Sequence, residues 1–196
     1  MTILEHDPLI RRVLGTQFLQ LALKRLSLDE EPGTGSTVKA TIAEGDMPVE
    51  VEGRGVGVVD ALYAGLLARY GGEYQSLKTL QLAGFHVAAD LETKKAQAAT
   101  DAVGKVTLDV TNSDGRRFSF TDASRSVTAS TARAVIAAVQ YFINAERAFI
   151  TLYNARRDAI ARGREDLVAR YTAEMAEVVE STSYAEVIAN IRKELQ

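Results

Sequence analysis

The sequence predicts an α+β fold of two pseudo-repeated βββα units, their strands forming a sheet packed on helices, with further helices at both ends. Three observations carry this expectation. A strand, a hairpin and a helix follow one another from Leu23 to Tyr70, and the same order recurs from Leu77 into the helix that starts at Val127. The hairpin and helix segments repeat at an offset of 68, seen between Asp46 and Asp114 and between Ala61 and Ala129. The last third carries apolar residues at helical spacing with alternating charge on the other faces.

From the N-terminus, Ile10, Val13, Leu14, Gln17 and Phe18 recur at helical spacing, with Pro8 at a tolerated first-turn position, which predicts a helix from Asp7 to about Gln20. Leu23–Leu28 (LKRLSL) could continue that helix. Its similarity to Leu77–Leu82 (LKTLQL), 54 residues on, favours a strand in both places. The stretch DEEPGTGS, 29–36, reads as a loop. Val38–Ala43 and Val49–Gly53 form a hairpin across Glu44–Pro48, and an apolar helix runs from Val58 to the double glycine Gly71–Gly72. Leu82–Ala89 is a strand and Leu91–Asp101 a polar excursion. Val106–Val110 and Phe118–Phe120 form a second hairpin around the turn Asn112–Gly115. A long helix is expected from Val127 towards Ala161, a second from Arg164 to about Glu180, and a third over Tyr184–Leu195.

Composition narrows the class. The chain has 196 residues and a net charge of −3, which argues against a nucleic-acid surface. It has no cysteine, hence neither a disulfide frame nor a thiolate metal site. No apolar run reaches the length of a membrane span, and the start MTILEHDPLIRR lacks the basic-then-apolar order of a signal peptide. A cytoplasmic protein is expected, without nucleic-acid or membrane partners.

The stretch Val49–Leu67 (VEVEGRGVGVVDALYAGLL) is the centre of the functional argument. Gly53, Gly55 and Gly57 permit positive φ and close approach, and the first amides of the following helix offer a seat for a carboxylate. The spacing is not G-x-G-x-x-G, and Asp60 in the first helical turn would repel a pyrophosphate. An acid beside free amides suits a ligand carrying both an ammonium and a carboxylate. A purely structural turn is the competing reading.

No catalytic constellation is visible. The two histidines are His6, near the start, and His86, on a strand where a partly exposed position explains it. No H-x-H, H-E-x-x-H or paired carboxylate motif suggests a metal, and no cofactor is expected. Ser124, Ser126 and Ser130 fit helix capping better than nucleophilic work.

The stretch from Leu23 to Asn144 resembles the C-terminal regulatory (allosteric, dimerisation) domain of 2-isopropylmalate synthase and citramalate synthase. That family's G-x-G-N-G-P-V-D-A turn is matched by Gly53, Gly55, Gly57, Val59, Asp60 and Ala61, with Val56 and Val58 in place of Asn and Pro. Its D-Y-x-V strand corresponds to Gly84-Phe85-His86-Val87, its T-D-A-x-G-x-V segment to Thr100, Asp101, Ala102, Gly104 and Val106, and its D-I-x-x-A-S helix start to Arg125, Ser126, Ala129 and Ser130. The resemblance implies a regulatory domain over 22–145, flanked by helical extensions over 1–21 and 146–196. It further implies a homodimer and a leucine, isoleucine or valine effector near the dimer interface. The implied ligand-binding residues are Gly55, Val56, Gly57, Val58, Asp60 and Ala61 from the first unit, with Phe85, Ala102, Gly104, Asp122, Val127 and Ala129 from the second.

The synthase barrel and its H-x-H ligands have no counterpart in the sequence, so a non-catalytic regulatory module is expected, with a separately encoded synthase as a conceivable partner. The alternative is a ligand-free dimerisation scaffold that docks a partner protein through its helical tail.

Overall fold

A computed structural model of the chain describes residues 7–89 and 103–180. A first helix, α1 (Asp7–Leu14), leads into β1 (Leu21–Glu31), β2 (Gly35–Glu44), β3 (Met47–Gly55) and α2 (Val58–Tyr70). The second unit consists of β4 (Gln81–Ala89), β5 (Gly104–Thr111), β6 (Arg117–Ser124) and α3 (Val127–Ala161), followed by α4 (Glu165–Glu180). Each unit contains one antiparallel sheet, in the order β1-β2-β3 and β4-β5-β6. The two βββα units and the additional helices agree with the fold class read from the sequence.

The register of the strands makes the duplication more specific than sequence matching did. β1 bulges between Leu23 and Arg25, where it faces Ile42 and Thr41; β4 bulges between Leu82 and Gly84, where it faces Val110 and Asp109. The bulges therefore lie 59 residues apart while their partners Ile42 and Val110 lie 68 apart. The residues before the two helices, Gly57 and Ser126, lie 69 apart. The LKRLSL and LKTLQL match at 54 is not the structural one. Gln75–Thr79 forms a 3-10 turn, and β4 begins only at Gln81. Leu77 in that turn is buried, and the Ser76 amide and hydroxyl both donate to the carboxylate of Glu146 on α3, at 3.0 and 2.6 Å. Tertiary contacts decide the segment's conformation against its strand-like alternation.

Two boundaries differ for local reasons. α1 stops at Leu14 because Gly15 takes a left-handed conformation (φ +52°) and opens a 3-10 turn over Gly15–Gln17. The expected loop at 29–36 shrinks to Pro32–Thr34, since β1 continues through Glu31 and Gly33 supplies the positive φ of a tight reversal. The long helix through Ala161 and the helix to Glu180 are as expected. The excursion at 91–101 and the helix at Tyr184–Leu195 lie outside the described residues.

The central element is α3. It packs on β5 and β6, on α1 and α4, on α2, and on β1 of the other unit. Against its own sheet, Phe118, Tyr141 and Phe142 form an aromatic cluster with centroids 5.1 to 5.8 Å apart, edge-to-face where Phe142 meets each of the other two. Against β1 and the segment leading into it α3 uses amides: Asn144 accepts from Leu19 N and donates to Leu19 O, both at 2.8 Å, and Gln140 accepts from Leu21 N at 2.7 Å. α2 lies on β2 and β3, tied down by the Tyr63 hydroxyl, which donates to Leu77 O at 2.5 Å. Burial pushes that phenol up to about 12.

Candidate functional site

The glycine turn is built for helix packing. None of Gly53, Gly55 or Gly57 has a positive φ, which corrects the conformational reading of this stretch. A Cβ on Gly53 would overlap the Ala61 carbonyl and lie 2.5 Å from Gly65 N; one on Gly55 would lie 2.5 Å from Ala61 N and 2.7 Å from Asp60 Cβ. These two glycines let the backbone of α2 lie directly on β3. Gly57 differs: its backbone is extended (φ −149°) and a Cβ there would meet nothing within 4 Å. It precedes the helix without offering a side-chain cap, whereas Ser126, its counterpart, accepts from Ala129 N at 3.2 Å. The start of α2 is left open where that of α3 is closed.

Across from this helix start lies the inner face of β4. Phe85 and Val87 pair with Leu108 and Val106, so they share the face on which α3 packs. Yet Leu82, Phe85 and Val87 are 37, 44 and 48% exposed, because α3 covers β5 and β6 and stops short of the edge strand. Their structural counterparts on β1, by the bulge alignment, are Leu23, Leu26 and Leu28. The first two of these are half-buried and pack against the core.

The result is a cleft of about 500 Å³ between the two units, lined by Gly57, Val58, Val59, Asp60, Leu82, Ala83, Gly84, Phe85 and Leu108. Four of the expected ligand residues, Gly57, Val58, Asp60 and Phe85, are brought together here. Val59, Leu82 and Leu108 were missed by sequence reasoning. The register of β4 against β5 places the two leucines there, and single-strand alternation does not reveal it.

The other expected residues lie elsewhere. Ala61 is fully buried in the core, Gly55 is pressed under Asp60 and Ala61, and Val56 is 87% exposed at the corner. Gly104, Val127 and Ala129 gather at the start of α3, where a Cβ on Gly104 would come within 2.7 Å of Val127 Cγ2. Asp122 is engaged by Arg133, whose Nε and Nη2 donate to its Oδ2 at 2.9 and 2.8 Å. Burial pushes that carboxyl up, but the Arg133 and Ser130 contacts outweigh it and hold it below the usual carboxylate range. Ala102 lies outside the described residues.

The outer face of the second sheet carries a polar cluster. Asp109, 5% exposed, accepts from Arg117 Nη2 at 2.7 Å and from Ser119 Oγ at 2.5 Å, and His86 Nε2 stands 3.7 Å away. Burial raises the Asp109 carboxyl, while Ser119, Arg117 and His86 together bring it below its ordinary value. The serine donates to a carboxylate and not to the imidazole, so this is an ion-pair cluster without an activated nucleophile. Among the described residues no group of His, Asp and Glu is placed to hold a metal ion, and no helix is long and apolar enough to cross a membrane.

The fold is a duplicated βββα domain whose edge strand β4 is uncovered among the described residues, with an open helix start beside it. Comparison with protein families makes that class particular. The family model of the LeuA allosteric (dimerisation) domain matches residues 6–143, and the chain belongs to this family. The match takes in α1 and ends within α3, so the rest of α3 and α4 lie beyond it. The family is the regulatory and dimerising part of 2-isopropylmalate synthase, an enzyme of leucine biosynthesis. No curated protein shows significant similarity to the chain.

Proposed function

We propose that this dimerisation domain is a non-catalytic sensor of a small apolar amino acid, bound in the cleft between the start of α2 and the inner face of β4. The observation that carries the reading is the convergence there of an uncapped helix N-terminus, one carboxylate and an uncovered apolar strand. The first amides of α2 would receive the ligand carboxylate and Asp60 its ammonium. Val59, Leu82, Phe85 and Leu108 would enclose its side chain, which suits leucine, isoleucine or valine. The effect would pass to the second copy, or to a separately encoded synthase, because the cleft adjoins the exposed edge strand.

Thermal unfolding of the full chain with each branched-chain amino acid tests this. At 100 times its dissociation constant a ligand stabilises the native state by about 2.7 kcal/mol. For a chain of this size that raises Tm by roughly 5–10 °C. Asp60→Ala should reduce the shift. No shift with any of the three at millimolar concentration would leave the ligand-free scaffold as the better reading.

A further inference from the structure

A second cleft, of about 270 Å³, lies on the opposite pairing of the two units, where β1 meets α3 and β6. Its polar lining is Arg11, Gln20, Thr121, Asp122, Arg133 and Gln140, and Leu21 and Ile136 (7 and 3% exposed) belong to its apolar wall. We propose that this cleft binds a small apolar monocarboxylate, preferentially a 2-oxo acid, as a site separate from the amino-acid cleft.

The assignment rests on how the polar groups are already committed. Arg133 spends Nε and Nη2 on a single oxygen of Asp122, and Nη2 also reaches Ser130 Oγ at 3.3 Å. Arg11 donates to Asp7 through Nε at 2.7 Å and lies with its guanidinium 4.1 Å from the centre of the Phe18 ring. Among the described residues, no hydrogen bond uses Arg133 Nη1 or either terminal nitrogen of Arg11.

The cleft is thus lined by two guanidinium groups, each paired through part of its N–H set with one carboxylate, Arg11 with Asp7 and Arg133 with Asp122, and each with terminal N–H groups to spare. A ligand carboxylate matches this surplus of donors. An ammonium would lie beside two guanidinium groups and compete with Arg133 for Asp122, so an amino acid is the poorer fit. Gln140 refines the class. Its Oε1 accepts from Leu21 N, which fixes the amide orientation and leaves Nε2 as a donor for a 2-oxo oxygen. The volume suits an acid of four to six carbons, whose alkyl end would rest on Leu21 and Ile136.

The proposal is independent of the reading of the first cleft, and calorimetry on the full chain separates them. The probes are 4-methyl-2-oxopentanoate, isovalerate and leucine. The expected result is one oxo-acid site per chain, with isovalerate weaker. Arg11→Gln, a change at a half-exposed side chain, should weaken the oxo acid at least tenfold and leave any leucine binding unchanged. Arg133→Gln strands Asp122, so Asp122→Asn/Arg133→Gln accompanies it and should abolish oxo-acid binding with the thermal transition retained. No heat with either acid at 10 mM would overturn the proposal. So would binding that survives Arg11→Gln but is lost in Phe85→Ala, since the acid would then occupy the first cleft.

Discussion

Gly53, Gly55 and Gly57 recur at every second position, but only two of them are required by the fold. A side chain on Gly53 or Gly55 would drive into the backbone of α2, at Ala61 and Gly65 in one case and at Asp60 and Ala61 in the other. Backbone on both sides cannot yield as a flexible side chain would. Gly55→Ala should therefore cost at least the roughly 1–3 kcal/mol of an overpacked core, and Gly53→Ala more. Gly57→Ala places its methyl in open space on an extended backbone, so its stability should stay within about 0.5 kcal/mol of the parent. Urea denaturation of the three variants checks the order. A destabilised Gly57→Ala with an undisturbed Gly55→Ala would invert the assignment. Sequence reading located close approach in this stretch but extended it to all three glycines, because their alternation does not show that the strand ends at Gly55 and leaves Gly57 beyond the contact with α2.

At the scale of elements, hairpins and helices were legible and the joints between units were not. Alternation in Val38–Ala43 and the Asn112–Gly115 turn mark the hairpins locally. The 3-10 turn at Gln75–Thr79 has no local signal, since it forms around Glu146, some 70 residues away. The approach to β1 is fixed in a similar way: Asn144 holds both backbone groups of Leu19, with the amide fully buried. An asparagine in a helix read for apolar spacing only interrupts the pattern. Its partners show that it completes the hydrogen bonding of a buried backbone segment. Asn144→Leu is close in volume, but it strands one N–H and one C=O, at about 1–3 kcal/mol for each buried group. We expect a loss of about 2–6 kcal/mol in chemical denaturation, with Gln140→Leu milder because that site is only part-buried. Equal effects for the two would mean that water replaces Asn144 as readily as Gln140.

For the whole molecule, the unequal treatment of the two first strands is the informative asymmetry. α3 is long enough to cover its own sheet and to reach across to β1, and the core is continuous through it. Among the described residues no element plays the same part for β4, so Leu82, Phe85 and Val87 stay open on the edge strand of their sheet. In a family whose domain dimerises, that strand is the surface on which we expect the second copy. The pairing would also narrow the first cleft around a ligand and couple occupancy to assembly. Because both side chains are about half exposed, Phe85→Asp/Val87→Asp should leave the folded chain intact by circular dichroism. By light scattering at micromolar concentration the parent should have the mass of two chains and the variant that of one. A dimer that survives both charges would move the interface away from β4. The helical extension of α3 and α4 beyond the family match would then be the next surface to mutate.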